Sequence, residues 1–176
     1  MKRLLLAVFG LLPAACQSLP PADESFARGN VLLDAGDAPG AIGAYTAALQ
    51  QNDRHALAYN NRGLARAALK DYEGALSDYT ACLALPDPFA EAHYNRGIAL
   101  LRLGRKGEAI VDFTDALKLN PQYARAHAGR GLAFAAGGDK ASALADYRKA
   151  LDVAPPDWSD RKAVEAEIAK LSEPKK

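Results

Sequence analysis

The residues of this 176-residue sequence that could do chemistry are two cysteines, three histidines and a recurring set of arginines and aspartates. A thiol can act as a nucleophile, a metal ligand or an acylation point. Cys16 and Cys82 stand alone, in neither a CxxC nor a Cys/His ligand spacing, so they build neither a disulfide framework nor a zinc site. His55, His93 and His127 are the imidazoles, and the last two are separated by the same interval as Arg96 and Arg130. That interval runs through much of the chain, so internal repetition explains their spacing; a metal site needs three or four converging ligands. There is no Gly-rich strand-to-helix turn to cradle a phosphate, and no nucleophile with a legible base. The expectation is a protein that is not an enzyme, with no catalytic residue, no metal and no cofactor. Cys82 occupies a small packing position and is expected to be a buried, inert thiol.

The arginines belong to a repeat. Arg28-Gly29, Arg62-Gly63, Arg96-Gly97 and Arg130-Gly131 recur at one fixed interval, and the same interval separates Ala41, Ala75, Ala109 and Ala143, and the aromatics Tyr45, Tyr79, Phe113 and Tyr147. Ala48, Cys82, Ala116 and Ala150 follow the same period, each before a leucine. Asp78, Asp112 and Asp146 recur too, while the first unit has Ala44 there. Pairing within a unit joins Arg62 to Asp78, Arg96 to Asp112 and Arg130 to Asp146, and leaves Arg28 over. Pairing with the preceding unit would strand three groups, so the first arrangement is expected, with the pairs pinning register rather than catalysing.

What must position these groups is helical. Alanine and leucine dominate, β-branched residues are few, and glycine and proline act as punctuation. Four units follow without insertion, 22–55, 56–89, 90–123 and 124–157, each with apolar residues at helical spacing twice around a polar or glycine turn. Each unit is thus expected to be a helical hairpin, with Asp37, Asp71 and Asp139 as N-caps of the second helices. Prolines end the later units at Pro86-Asp87-Pro88, Pro121 and Pro155-Pro156. Residues 158–172 carry Val164, Ile168 and Leu171 on one stripe, the pattern of a helix that covers the open end of a repeat stack. The tail 173–176 is expected to be disordered.

This pattern resembles the tetratricopeptide repeat (TPR) family, whose consensus has small residues at its eighth, twentieth and twenty-seventh positions, an aromatic at the twenty-fourth and proline at the thirty-second. The departures are the four arginines, where the consensus has leucine, and Ser25, His93 and His127, where it prefers tryptophan. The resemblance implies an all-α fold, an α-solenoid of four TPR helical hairpins plus a C-terminal capping helix. It also implies that the first helix of each hairpin lines a concave groove that binds a protein or peptide. Its inward positions fall on Phe26, Asn30, Asn60, Asn61, Leu64, Tyr94, Asn95, Ile98 and Arg102, together with Leu33, Leu101 and Leu132. Asparagine amides both donate and accept, which suits a peptide backbone. Leu33, Leu101 and Leu132 could equally pack between hairpins. The carboxylate clamp of one TPR subclass is incomplete here: Asn30 and Asn61 match, but Phe26, Glu91 and Asn95 stand where it has basic residues.

The N-terminus reads as an address. Lys2 and Arg3 precede an apolar run from Leu4 to Leu12 that is far shorter than the roughly 20 residues a bilayer span needs, so 1–15 is expected to be a secretory signal. Ala14-Ala15-Cys16 resembles the lipobox of bacterial lipoproteins, with Pro13 where that motif usually has leucine. The resemblance implies lipidation at Cys16, a linker at 16–21, and attachment to the periplasmic face of the outer membrane. An ordinary signal cut near Ala15 would instead leave a soluble periplasmic protein. Lysine plus arginine number 22 against 21 acids, so no basic footprint for nucleic acid is present. The expected function is a non-catalytic envelope adaptor with a protein or peptide partner, a membrane contact through its lipid, and no small-molecule substrate. The rival reading is an assembly subunit that self-associates through its repeat ends.

Overall fold

A computed structural model describes residues 21–173. The expected leader 1–15, Cys16 with most of its linker, and residues 174–176 of the tail lie outside the described residues. The described chain is all-α, with helices α1 (Ala22–Asp34), α2 (Ala38–Gln51), α3 (Ala56–Ala68), α4 (Tyr72–Leu83), α5 (Ala90–Arg102), α6 (Lys106–Leu119), α7 (Ala124–Gly137), α8 (Lys140–Val153) and α9 (Arg161–Ser172). Successive helices pair as antiparallel hairpins, α1–α2, α3–α4, α5–α6 and α7–α8, and α9 packs on α8.

One turn closes all four hairpins. Gly36, Lys70, Gly104 and Gly138 adopt φ of 79°, 63°, 77° and 88°, the left-handed region that ends a helix without extending it. In the first hairpin the Asp37 amide donates to the Leu32 carbonyl at 2.9 Å and the Gly36 amide to Leu33 at 3.0 Å, and the other three repeat both bonds. Lys70 holds this conformation with a Cβ, which costs roughly 1–2 kcal/mol. The following aspartates then start the next helix: Asp37, Asp71 and Asp139 accept from the amides of Gly40, Gly74 and Ser142 at 3.0, 3.0 and 3.1 Å. Such caps contribute about 1 kcal/mol each. The third hairpin has Arg105 at this place and no side-chain cap; Arg105 pairs instead with Glu108 at 2.6 Å on the exposed first turn. His55, which the sequence left without a role, caps α3 by accepting from the Ala58 amide at 3.2 Å.

The hairpins close tightly because glycine faces an aromatic ring. A Cβ on Gly29, Gly63 or Gly97 would lie 2.5, 2.6 or 2.8 Å from ring carbons of Tyr45, Tyr79 or Phe113, all inside ordinary contact distance. The rings are buried, and they also meet the next hairpin, where Ala65 packs with Tyr45, Ala99 with Tyr79 and Ala133 with Phe113. Each ring therefore fills both the crotch of its own hairpin and part of the seam beyond it. At the C-terminal end Val164, Ile168, Leu171 and Trp158 cover Tyr147 and Leu151. At the other end Val31, equivalent to those buried alanines, is 68% exposed.

Candidate binding groove

The first helices of neighbouring hairpins touch directly, α1 to α3, α3 to α5 and α5 to α7, whereas the second helices make at most marginal contact with one another. The first helices therefore line the tighter, concave side. Along its N-terminal half the asparagines bond to each other. Asn95 Nδ2 donates to Asn60 Oδ1 at 3.0 Å, Asn60 Nδ2 to Asn61 Oδ1 at 3.0 Å and Asn61 Nδ2 to Asn30 Oδ1 at 2.9 Å. Tyr45 donates its hydroxyl to the same Asn30 oxygen at 2.8 Å. This ladder crosses three hairpins and uses the acceptors of Asn30, Asn60 and Asn61. Asn95 Oδ1 and the second hydrogens of the Asn61 and Asn95 amides stay outside the ladder, so donors and an acceptor both remain along α3 and α5. Asn60 is 5% exposed and belongs to the packing rather than to an open surface. It could not be told from Asn61 by type alone, since both are asparagines one residue apart.

The aromatics also serve the seams. Phe26 stacks on His55, with centroids 4.5 Å apart, and on Tyr45 at 5.8 Å. Tyr94 meets Tyr123 at 5.2 Å and Phe113 at 5.9 Å. Both are half-buried. Leu33 packs in the first hairpin's core, and Leu64 is half-buried on α3.

The open part of the groove lies further along. Ile98, Leu101 and Arg102 on α5 face Leu132 and Ala136 on α7 across a cleft of about 260 Å³. Leu132 is 47% exposed. Arg102 is exposed and makes no ion pair with any described residue. Lys106 donates to the Ala136 carbonyl at 2.6 Å.

The arginine–aspartate pairs lie away from this surface. Arg62 to Asp78, Arg96 to Asp112 and Arg130 to Asp146 each approach to 2.7 Å within their own hairpins. Each guanidinium also reaches back to the hairpin before it, through Nη1 to Thr46 at 3.1 Å, Thr80 at 3.5 Å and Thr114 at 3.1 Å. Those threonines keep the same spacing as the arginines, so the signal that would have found them is present in the sequence. Arg66 adds a second contact to Asp78 at 3.0 Å, and His93 and His127 lie 3.3 and 3.5 Å from Asp112 and Asp146. Burial alone would raise the Asp112 and Asp146 carboxyls; hydrogen bonds from the neighbouring arginine and histidine outweigh it and hold both below the ordinary carboxylate value. His93, Asp112 and Asp115 bring ligand-type atoms within 4.8 Å of one another. Arg96 already covers both Asp112 oxygens, so a cation there would face a fixed positive charge. Cys82 is buried, and burial pushes its thiol up to about 11.

No curated protein sequence matches the chain. Among solved structures, MamA superposes with a TM-score of 0.71 at 23% identity over 85% of this chain and 81% of its own. Pseudomonas aeruginosa PilF does so at 0.76 and 22% over 85% and 67%. The second TPR domain of human RPAP3, solved with an HSP70 peptide, gives 0.62 and 30% over 64% of this chain and 93% of its own. The first two likenesses show the fold. A family model for the tetratricopeptide repeat matches residues 26–86, 79–113 and 94–157, nearly the whole helical stack, and the chain belongs to that family.

Proposed function

We propose that this chain is a non-catalytic adaptor that holds a protein or peptide in its concave groove, and that it does so at the periplasmic face of a bacterial outer membrane, tethered through a lipid on Cys16. TPR domains bind peptides and proteins, as the RPAP3 domain does with its HSP70 peptide. The observation that carries the reading is the open cleft around Leu132, an exposed leucine facing Ile98 and Leu101 on the side where first helices line the solenoid. Apolar anchors in such grooves supply much of the affinity of a partner segment. The export part rests on the charged, apolar and Ala14-Ala15-Cys16 pattern of the N-terminus. Among the described residues no helix is long and apolar enough to cross a membrane.

The test is crosslinked capture from intact envelopes with wild type and with Ile98→Glu/Leu132→Glu. Tyr94 and Asn61 are poorer choices because both hold the seams together. A partner lost by the folded variant supports the groove; a partner retained places binding elsewhere. For the tether, Cys16→Ala should leave the membrane fraction, and unchanged fractionation would remove it. Self-association through the repeat ends is the second reading, favoured by exposed Val31 at a position buried in every later hairpin. Sedimentation as a monomer at every concentration would exclude it.

A further inference from the structure

Three clefts of the described surface differ in charge balance. The cleft between hairpins two and three contains Arg96 and Asp112, which satisfy each other, and the one at the N-terminal end contains Glu24 and Arg28, of opposite sign. The α5–α7 cleft has an arginine in its lining and no carboxylate. Building on the groove reading above, we propose that it receives an extended acidic segment: a leucine-sized side chain enters between Ile98, Leu101 and Leu132, and a glutamate or aspartate two residues from it pairs with Arg102.

Size excludes a larger occupant. At about 260 Å³ the cleft falls below the roughly 300–1,000 Å³ of small-molecule sites, so it holds one or two side chains of a polypeptide. Charge selects the neighbours. Arg102 makes no ion pair with a described residue, and a guanidinium binds a carboxylate through two parallel hydrogen bonds. The carbonyl end of α7 would repel an anion, but Lys106 Nζ sits on its Ala136 carbonyl at 2.6 Å and reverses the local sign. Register sets the spacing. Ile98 and Arg102 are one helical turn apart, about 5–6 Å, and two residues of extended chain cover about 6.6 Å with both side chains on one face.

The experiment measures fluorescein anisotropy with three peptides, GESLSEG, GKSLSKG and GESASEG, whose charges stand two residues from the central side chain, on the folded full-length protein at one ionic strength. Wild type is expected to bind GESLSEG at least tenfold more tightly than either other peptide. Arg102→Glu should invert the preference between the acidic and basic peptides, and Leu132→Ser should erase the preference for leucine over alanine. Both side chains are exposed, and circular dichroism checks that both variants fold. Equal binding of the acidic and basic peptides, a charge preference that survives Arg102→Glu, or no binding of any peptide overturns the proposal. If it falls while Ile98→Glu/Leu132→Glu still abolishes partner capture, the groove reading stands and only this ligand chemistry is lost.

Discussion

Removing Asp112 tests whether the buried ion pairs hold the stack together or merely tolerate one another. In Asp112→Ala the Arg96 guanidinium keeps its bond to Thr80 but loses both carboxylate contacts, and His93 loses its neighbour. Stranding one member of a buried pair costs about 3–5 kcal/mol. Arg96 retains 24% side-chain exposure and can recover some water, which brings the cost to the bottom of that range or just below it, about 2–3 kcal/mol. For a chain of this length that lowers Tm by about 4–12 °C, at about 2–4 °C per kcal/mol. The informative comparison is the double variant Arg96→Leu/Asp112→Ala, which removes the stranded charge and places an aliphatic side chain beside Leu76 and Leu100. Hydrophobic replacement of a whole buried pair is often neutral or better. The double variant should therefore be more stable than Asp112→Ala alone. Urea unfolding followed by far-UV circular dichroism on all four proteins gives the cycle. Additive losses from the two single changes would refute the reasoning, because they would mean that the two residues act through separate contacts.

Four further outcomes follow from the geometry. Lys70→Gly should stabilise the protein by about 0.5–1 kcal/mol, the left-handed penalty of about 1–2 kcal/mol being offset in part by glycine's added freedom when unfolded, and thermal melts read it. Tyr147 buries a hydroxyl with no partner among the described residues, and Phe113 fills the equivalent place, so Tyr147→Phe should be neutral or gain about 1 kcal/mol in the same assay. Asp112 and Asp146 have folded pKa values below their unfolded value of about 3.9, so their stabilisation is complete above about pH 5 and is lost as pH falls through about 4 and below. Urea midpoints from pH 6 to 3 should fall accordingly, and less steeply in Asp112→Asn/Asp146→Asn. With its thiol raised to about 11, Cys82 should resist iodoacetamide at pH 7.5 in the folded protein and react once urea unfolds it, as mass spectrometry would show.

The fold was legible because repetition multiplies weak local signals. One glycine facing one tyrosine says little; four at a fixed interval, each followed by alanine and a turn aspartate or its equivalent, describe a hairpin. The arginine–aspartate recurrence was readable for the same reason. The threonines were equally periodic, yet a hydroxyl matches too many partners for its type to announce a role. The groove was less legible because its positions alternate between lining and packing. Asn60 and Asn61 differ by one residue and about 100° around α3, enough to bury one and leave the other half-exposed. Ala136, a wall of the cleft, carries no chemical signal at all. Lys106 reaches that wall from a neighbouring helix, a contact that only the fold brings about.

The reach of each arginine back to a threonine has a consequence for how such a chain can grow. Every hairpin after the first brings its own arginine and aspartate, and the first three each offer a threonine to whatever stacks next. A second copy of residues 90–123, inserted after residue 123, would find Thr114 waiting below it and would present the same threonine above. Gene duplication in units of one whole hairpin can therefore lengthen the solenoid without inventing a contact, while the ends, with Ala44 at one and α9 at the other, stay unique.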